Sequence, residues 1–321
     1  VVISRDGGII AAICSGDDFI RLLDVRRSRL IFLKGRWYAE SLAISEDGKI
    51  LASGWTDGGI RLWSASGKLV GELPNCCSGV SCLSFSRDGA LLIAGNHAGR
   101  TSLWEIGSHQ LVWESSHYLF SARDVFLSPD GRIAVTRYLD DLLRVWKADT
   151  GDQLWKAPYV KRVSFHPGGD RLVVMLSNAV QMRTLSGKII WEWDDENWGN
   201  RIVSLSPDGS LLAVGSKLGY VTVLDAERGN VLWKLTDFKD DAPRCLFFSR
   251  RWLAVGGDSG LVQVFSETGK RLWKGAISKT PIIRIGTFSD GRSKRLISVD
   301  QYGVVAVWDV SDGSLLWLSQ L

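Results

Sequence analysis

The residue types best suited to chemistry are few in this chain, and they are scattered. Its four histidines, His97, His109, His117 and His166, fall in different segments, and none stands at a metal-ligand spacing from a cysteine or carboxylate. The five cysteines, Cys14, Cys76, Cys77, Cys82 and Cys245, form neither a CxxC pair nor a framework spacing. Free thiols inside apparent strands read as small apolar side chains in a reducing compartment, which sets the expectation of a cytoplasmic protein. There is no glycine-rich phosphate loop. Asp194-Asp195-Glu196 places three acids in a row, a weak pattern for calcium. The expectation is a protein that is not an enzyme, with no catalytic residue, no cofactor and no resident metal.

What remains is recognition chemistry. Arg123, Lys161, Arg201, Arg244 and Arg284 recur 38 to 43 residues apart, and Arg162 adjoins the second of them. Such a series either presents cations to an acidic peptide, a phosphate or a nucleic-acid strand, or pairs with loop acids such as Asp124, Asp140, Asp141, Asp258 and Asp300. The two readings are compatible, because an arginine held by an acid still offers donors. Aromatic residues stand in the same stretches: Trp37-Tyr38, Tyr118, Tyr159 and Trp198. In exposed loops these are typical interface anchors, and the alternative is that they cover the ends of the strands beneath them.

The elements that must position these residues come from a repeat. Ser-x-Asp-Gly begins at Ser4, Ser45, Ser86, Ser128 and Ser206, with degenerate copies at His166, Ser249 and Ser289. Each unit reads as four strands, for example Cys82-Leu83-Ser84-Phe85, Leu91-Leu92-Ile93-Ala94, an alternating run such as Leu143-Arg144-Val145-Trp146, and a short strand ending on an aromatic such as Val231-Leu232-Trp233. The turn glycines supply the positive φ that tight hairpins need. Four antiparallel strands per unit predict an all-β single propeller spanning 1–321, with blades starting near residues 1, 40, 80, 122, 161, 200, 243 and 283. Eight blades fit the units without remainder; seven is the fallback if one degenerate unit fails to form. The chain starts at Val1, three residues before its first turn, so upstream residues, a leader among them, are left open.

The Ser-Pro-Asp-Gly turns, the run Ser53-Gly54…Asp57-Gly58…Ile60-Arg61-Leu62-Trp63 and the ending Val307-Trp308-Asp309 resemble the WD40-repeat family across the whole chain. No unit has that family's Gly-His pair, so its buried His–Asp network is not expected in the usual form. A second feature, Gly-x-x-x-Trp at Gly151, Gly187, Gly229, Gly269 and Gly313, is similar to the tryptophan-docking motif of quinoprotein-type propellers, in which the ring packs between blades. Both families are propellers. The WD40 resemblance implies a non-enzymatic scaffold docking a protein or acidic peptide on its loop face and channel mouth. The quinoprotein-like feature keeps open an extracytoplasmic propeller acting in assembly or ligand binding.

A net charge of +4 on 321 residues does not by itself announce nucleic acid, which stays a second alternative. No apolar run is long enough for a membrane-spanning helix.

Overall fold

The computed structural model describes residues 1–13, 19–35, 37–74, 78–115, 118–194, 199–236, 238, 241–289 and 294–320. These residues form thirty-two strands in eight four-stranded antiparallel sheets, with no helix among the described residues. Each sheet takes its strands in chain order, so each blade is one contiguous stretch: 2–34, 39–73, 80–114, 122–157, 162–194, 200–235, 243–276 and 282–320. The protein is an eight-bladed β-propeller, and the degenerate units at His166, Ser249 and Ser289 are full blades. Contacts divide the chain into two compact units, one holding blades 1–4 and the other blades 5–8.

The Ser-x-Asp-Gly turn is a closed set of hydrogen bonds. In blade 2 the buried Ser45 hydroxyl donates to Asp47 Oδ1 at 2.7 Å and accepts from the Ile50 amide at 3.0 Å, while Asp47 also accepts from the Lys49 amide at 3.0 Å. The amide of Gly48, at φ 70°, donates to the Ser45 carbonyl. The same set recurs at Ser4, Ser86, Ser128 and Ser206. The Lys49 amide, then the Ser45 hydroxyl, hold the Asp47 carboxyl down to about 2. Asp88 and Asp208 are likewise lowered, chiefly by Ser86 and Ser206. In blade 5 His166 replaces the serine: its Nδ1 accepts from the Gly168 amide, and its Nε2 lies 3.1 Å from the Gly209 carbonyl of blade 6.

Second strands lie deep between neighbouring blades, and for that reason they are continuous apolar or small-residue runs rather than alternating ones. Every residue of Trp252–Gly257 is buried, as are all but the first of Leu91–Asn96. Fourth strands form the outer edges and leave pairs such as Leu111 and Val112 about half exposed.

Two tryptophan sets lock this arrangement. In the docking set, each indole N–H donates to a backbone carbonyl of the next blade: Trp113 to Ala148 at 2.7 Å in the first unit, and Trp191 to Ala226, Trp233 to Glu267 and Trp273 to Val310 at 2.8–2.9 Å in the second. Each ring lies on a glycine of that next blade; a Cβ added to Gly151, Gly229 or Gly313 would stand within 3 Å of it. The rings are packed between blades, as the spacing implied. Between blades 2 and 3 the pair is inverted. Gly71 holds the tryptophan's place, and the ring of His109, which takes the glycine's place at φ 58°, lies over it.

The second set stands on third strands, where Trp63, Trp146 and Trp308 donate to Ser53, Thr136 and Ser298, ten residues earlier. Where the third-strand residue is Leu224 or Phe265, the earlier position is Val214 or Val255 and no donor needs a partner. Cys82 and Cys245 are buried free thiols, and burial pushes both up to about 12.

Candidate partner-binding loops

Within each blade the hairpins joining strands two and three share one end with the loops leading to the next blade. A β-bulge recurs at this loop end of the first strand, between Ala39 and Ser41, Ala122 and Asp124, Asn200 and Ile202, and Pro243 and Cys245. The bulged residues are therefore Glu40, Arg123, Arg201 and Arg244, with Ser81 in the same place in blade 3. A bulge turns one extra side chain out of the pleat, and this is how the sequence series acquires a common position. In blade 8 the strand Ile282–Ser289 extends to the first residue of the expected turn, and its register sets Ile283, not Arg284, at the bulge. Arg284 instead matches Arg162 of blade 5, one place further along.

The second unit brings two members of the series together. Arg201 donates to both oxygens of Asp258, at 2.7 and 3.2 Å, and Arg244 reaches the same carboxylate at 3.4 Å. Asp258 opens the strand 2–3 hairpin of blade 7, which is tied down by the buried Asp241 accepting from the Ser259 amide at 2.6 Å. Both arginines are thus held by a loop acid, and Arg244 remains half exposed. Lys161 bonds the Met175 carbonyl through its backbone amide. Trp198, with Asp195 and Glu196, lies outside the described residues.

In the first unit, Arg123 is exposed and forms no ion pair among the described residues. Its neighbour Asp124 is bound to the buried Arg137, which also reaches Asp141 at 3.5 Å. Glu40 lies 2.8 Å from His97 Nε2, and the other ring nitrogen of His97 meets Ser121 at 3.1 Å.

The aromatic candidates divide. Trp37, Tyr38 and Tyr159 are 56%, 57% and 74% exposed, and Tyr159 sits at φ 62°, a left-handed conformation unusual for a bulky residue. Tyr118 is held instead: its ring packs on Tyr138 at 4.7 Å and under the Arg144 guanidinium at 4.3 Å, and its hydroxyl donates to Asp140 at 3.0 Å. Burial and then the Asp140 carboxylate raise its phenol above the ordinary range.

That anchored ring presents what sequence reasoning missed. Leu119 is 93% exposed, flanked by Phe120, and Leu139 is exposed on the adjoining hairpin, its amide bonded to the Ser121 carbonyl. The loop is pressed against Gly99, where an added Cβ would fall 2.4 Å from the Tyr118 carbonyl. The available signal was the apolar run Tyr118-Leu119-Phe120, which continues no strand period.

Comparison with known proteins follows the same lines. A family model described as "WD domain, G-beta repeat" matches residues 33–64 and 67–105, and one described as "Anaphase-promoting complex subunit 4 WD40 domain" matches residues 177–251. Telomerase protein component 1 of Rattus norvegicus is 31% identical over 116 residues, 35% of this chain and 4% of that protein. Apoptotic protease-activating factor 1 of Danio rerio is 24% identical over 243 residues, 73% of this chain and 19% of that protein. This chain therefore spans only a small part of either relative. Among solved structures, the computationally designed Ika8 superposes with a TM-score of 0.79 at 19% identity, covering 94% of this chain and 93% of Ika8. Sqt1 of Chaetomium thermophilum bound to the N-terminus of ribosomal protein L10 gives 0.74 at 17% identity, covering 88% and 87%. At these identities the structural likeness is one of fold. With the repeat turns, the eight four-stranded blades and both family-model matches in agreement, the chain is a WD40-type β-propeller.

Proposed function

We propose that this chain is a non-catalytic scaffold that docks a protein or peptide partner on the loop end of its blades. The observation that carries the reading is Leu119, 93% exposed on a loop anchored by Tyr118, beside Phe120, Leu139 and the exposed Arg123. An apolar anchor of this kind, rimmed by a cation, gains affinity only when another surface covers it. Arg123 favours an acidic group on that partner, and Trp37, Tyr38 and Tyr159 extend the contact area. WD40 propellers generally act as non-catalytic scaffolds, and the structural neighbour Sqt1 holds a ribosomal protein N-terminus. Both support the reading. Asp258 neutralises part of the basic series, which weighs against nucleic acid as the partner. A reducing, cytoplasmic setting belongs to the same proposal, supported by the buried free thiols.

The test is capture of native-lysate proteins on immobilised wild type, Leu119→Asp, Arg123→Glu and the outer-strand control Val231→Asp. Proteins retained by wild type and the control should be depleted at least about tenfold on Leu119→Asp and less on Arg123→Glu. Equal retention on all four, at unchanged thermal stability, removes this surface from the function.

A further inference from the structure

At the opposite end of the first unit, where the Ser-x-Asp-Gly turns lie, a cavity of about 640 Å³ opens between blades 3 and 4. Leu91, Leu103 and Val112 make its apolar floor, and Glu105 and Asp149 stand on its rim. The repeat supplies an internal comparison. Arg171 of blade 5 occupies the register of Leu91, and Glu227 of blade 6 occupies that of Asp149. There the guanidinium of Arg171 lies on both oxygens of Glu227, at 2.7 and 2.8 Å, with Asp170 at 3.2 Å from its Nε. Blades 5 and 6 are thus bridged by the chain's own arginine. Between blades 3 and 4 the acid is kept and the arginine is replaced by leucine.

We propose that this cavity is a socket for an arginine side chain brought by a partner peptide in which an apolar residue stands beside that arginine. The methylene stem runs along Leu91 and Val112, and the guanidinium forks onto Asp149 as Arg171 does onto Glu227, a geometry that planar guanidinium and carboxylate favour. The volume exceeds one side chain, and the apolar floor takes the neighbouring residue. Glu105 adds a second carboxylate, although it already accepts from the Ser108 hydroxyl at 2.6 Å. Arg132 and Lys147 stand on the same rim, so a run of cations is repelled and a single arginine is preferred.

The probe is a fluorescein-labelled Gly-Leu-Arg-Leu-Gly amide, titrated with the full chain and followed by anisotropy, beside the same peptide with glutamine for arginine. Saturable binding of the arginine peptide is expected, weakened at least about tenfold by the glutamine exchange and by Asp149→Ala. Leu91→Arg, which supplies the arginine in cis, should abolish binding, and the outer-strand control Val231→Asp should leave it unchanged. Equal binding of the two peptides, indifference to Asp149→Ala, or no binding at millimolar peptide overturns the proposal. Displacement of the bound peptide by decanoate with no arginine dependence would show a general apolar pocket, and overturns it as well.

Discussion

Ser53 accepts two buried indole N–H groups, from Trp55 and Trp63, each at 2.8 Å. The equivalent of Ser53 in blade 3 is Ala94, and there the buried Trp104 N–H has no acceptor among the described residues. An unsatisfied buried donor costs more than a hydrogen bond gains, so the two sites make opposite predictions. Ala94→Ser should stabilise the protein by about 1 kcal/mol, and Ser53→Ala should cost about 2 kcal/mol or more, both read from chemical-denaturation midpoints. The turn aspartates add a pH dependence of definite sign. Asp47 falls from the ordinary 3.8 to about 2 on folding, so its contribution is complete above pH 4 and is lost as pH falls toward 2. Asp47→Asn should flatten the acid limb of the stability curve and leave neutral pH less stable.

Between blades, the unit of cohesion is a ring on a glycine. The inverted pair Gly71 and His109 shows that either partner can carry the bulk, provided the other gives way. Gly71→Trp alone meets the His109 ring, and His109→Gly alone leaves a gap. Together they rebuild the arrangement seen at Trp113 and Gly151. The double variant should therefore be more stable than the sum of the two single effects by about 1 kcal/mol or more, measured as a double-mutant cycle. Absence of coupling would mean that the two residues do not share one docking slot.

For the molecule as a whole, the fold was open to sequence reasoning because it is written eight times. Turn chemistry, apolar runs and aromatic strand ends recur together in most units and each unit keeps at least the apolar runs, so the degenerate turns at His166 and Ser249 did not obscure their blades. The loops are written once each, and there the reading thins. Which acid would hold Arg201 and Arg244 was undecidable from spacing, because the partner comes from another loop and not from the acids nearest in sequence; the tied hairpin of blade 7 selects Asp258. Arg284 left the series because Ile282–Ser289 is longer than its counterparts, and strand length is not marked by any residue. Leu119 was passed over because exposure of a single apolar residue depends on how its loop is anchored, here by Tyr118 and Gly99.

The contiguity of each sheet has a genetic side. No described sheet borrows a strand from a distant stretch, so unequal recombination between two adjacent serine turns removes or adds about one sheet's worth of paired backbone without orphaning a hydrogen-bonded partner. A lineage carrying this chain can gain, lose or shuffle blades by a single crossover. The degenerate turns at His166, Ser249 and Ser289, which have lost the shared Ser-x-Asp-Gly signature, are where such exchange should be rarest.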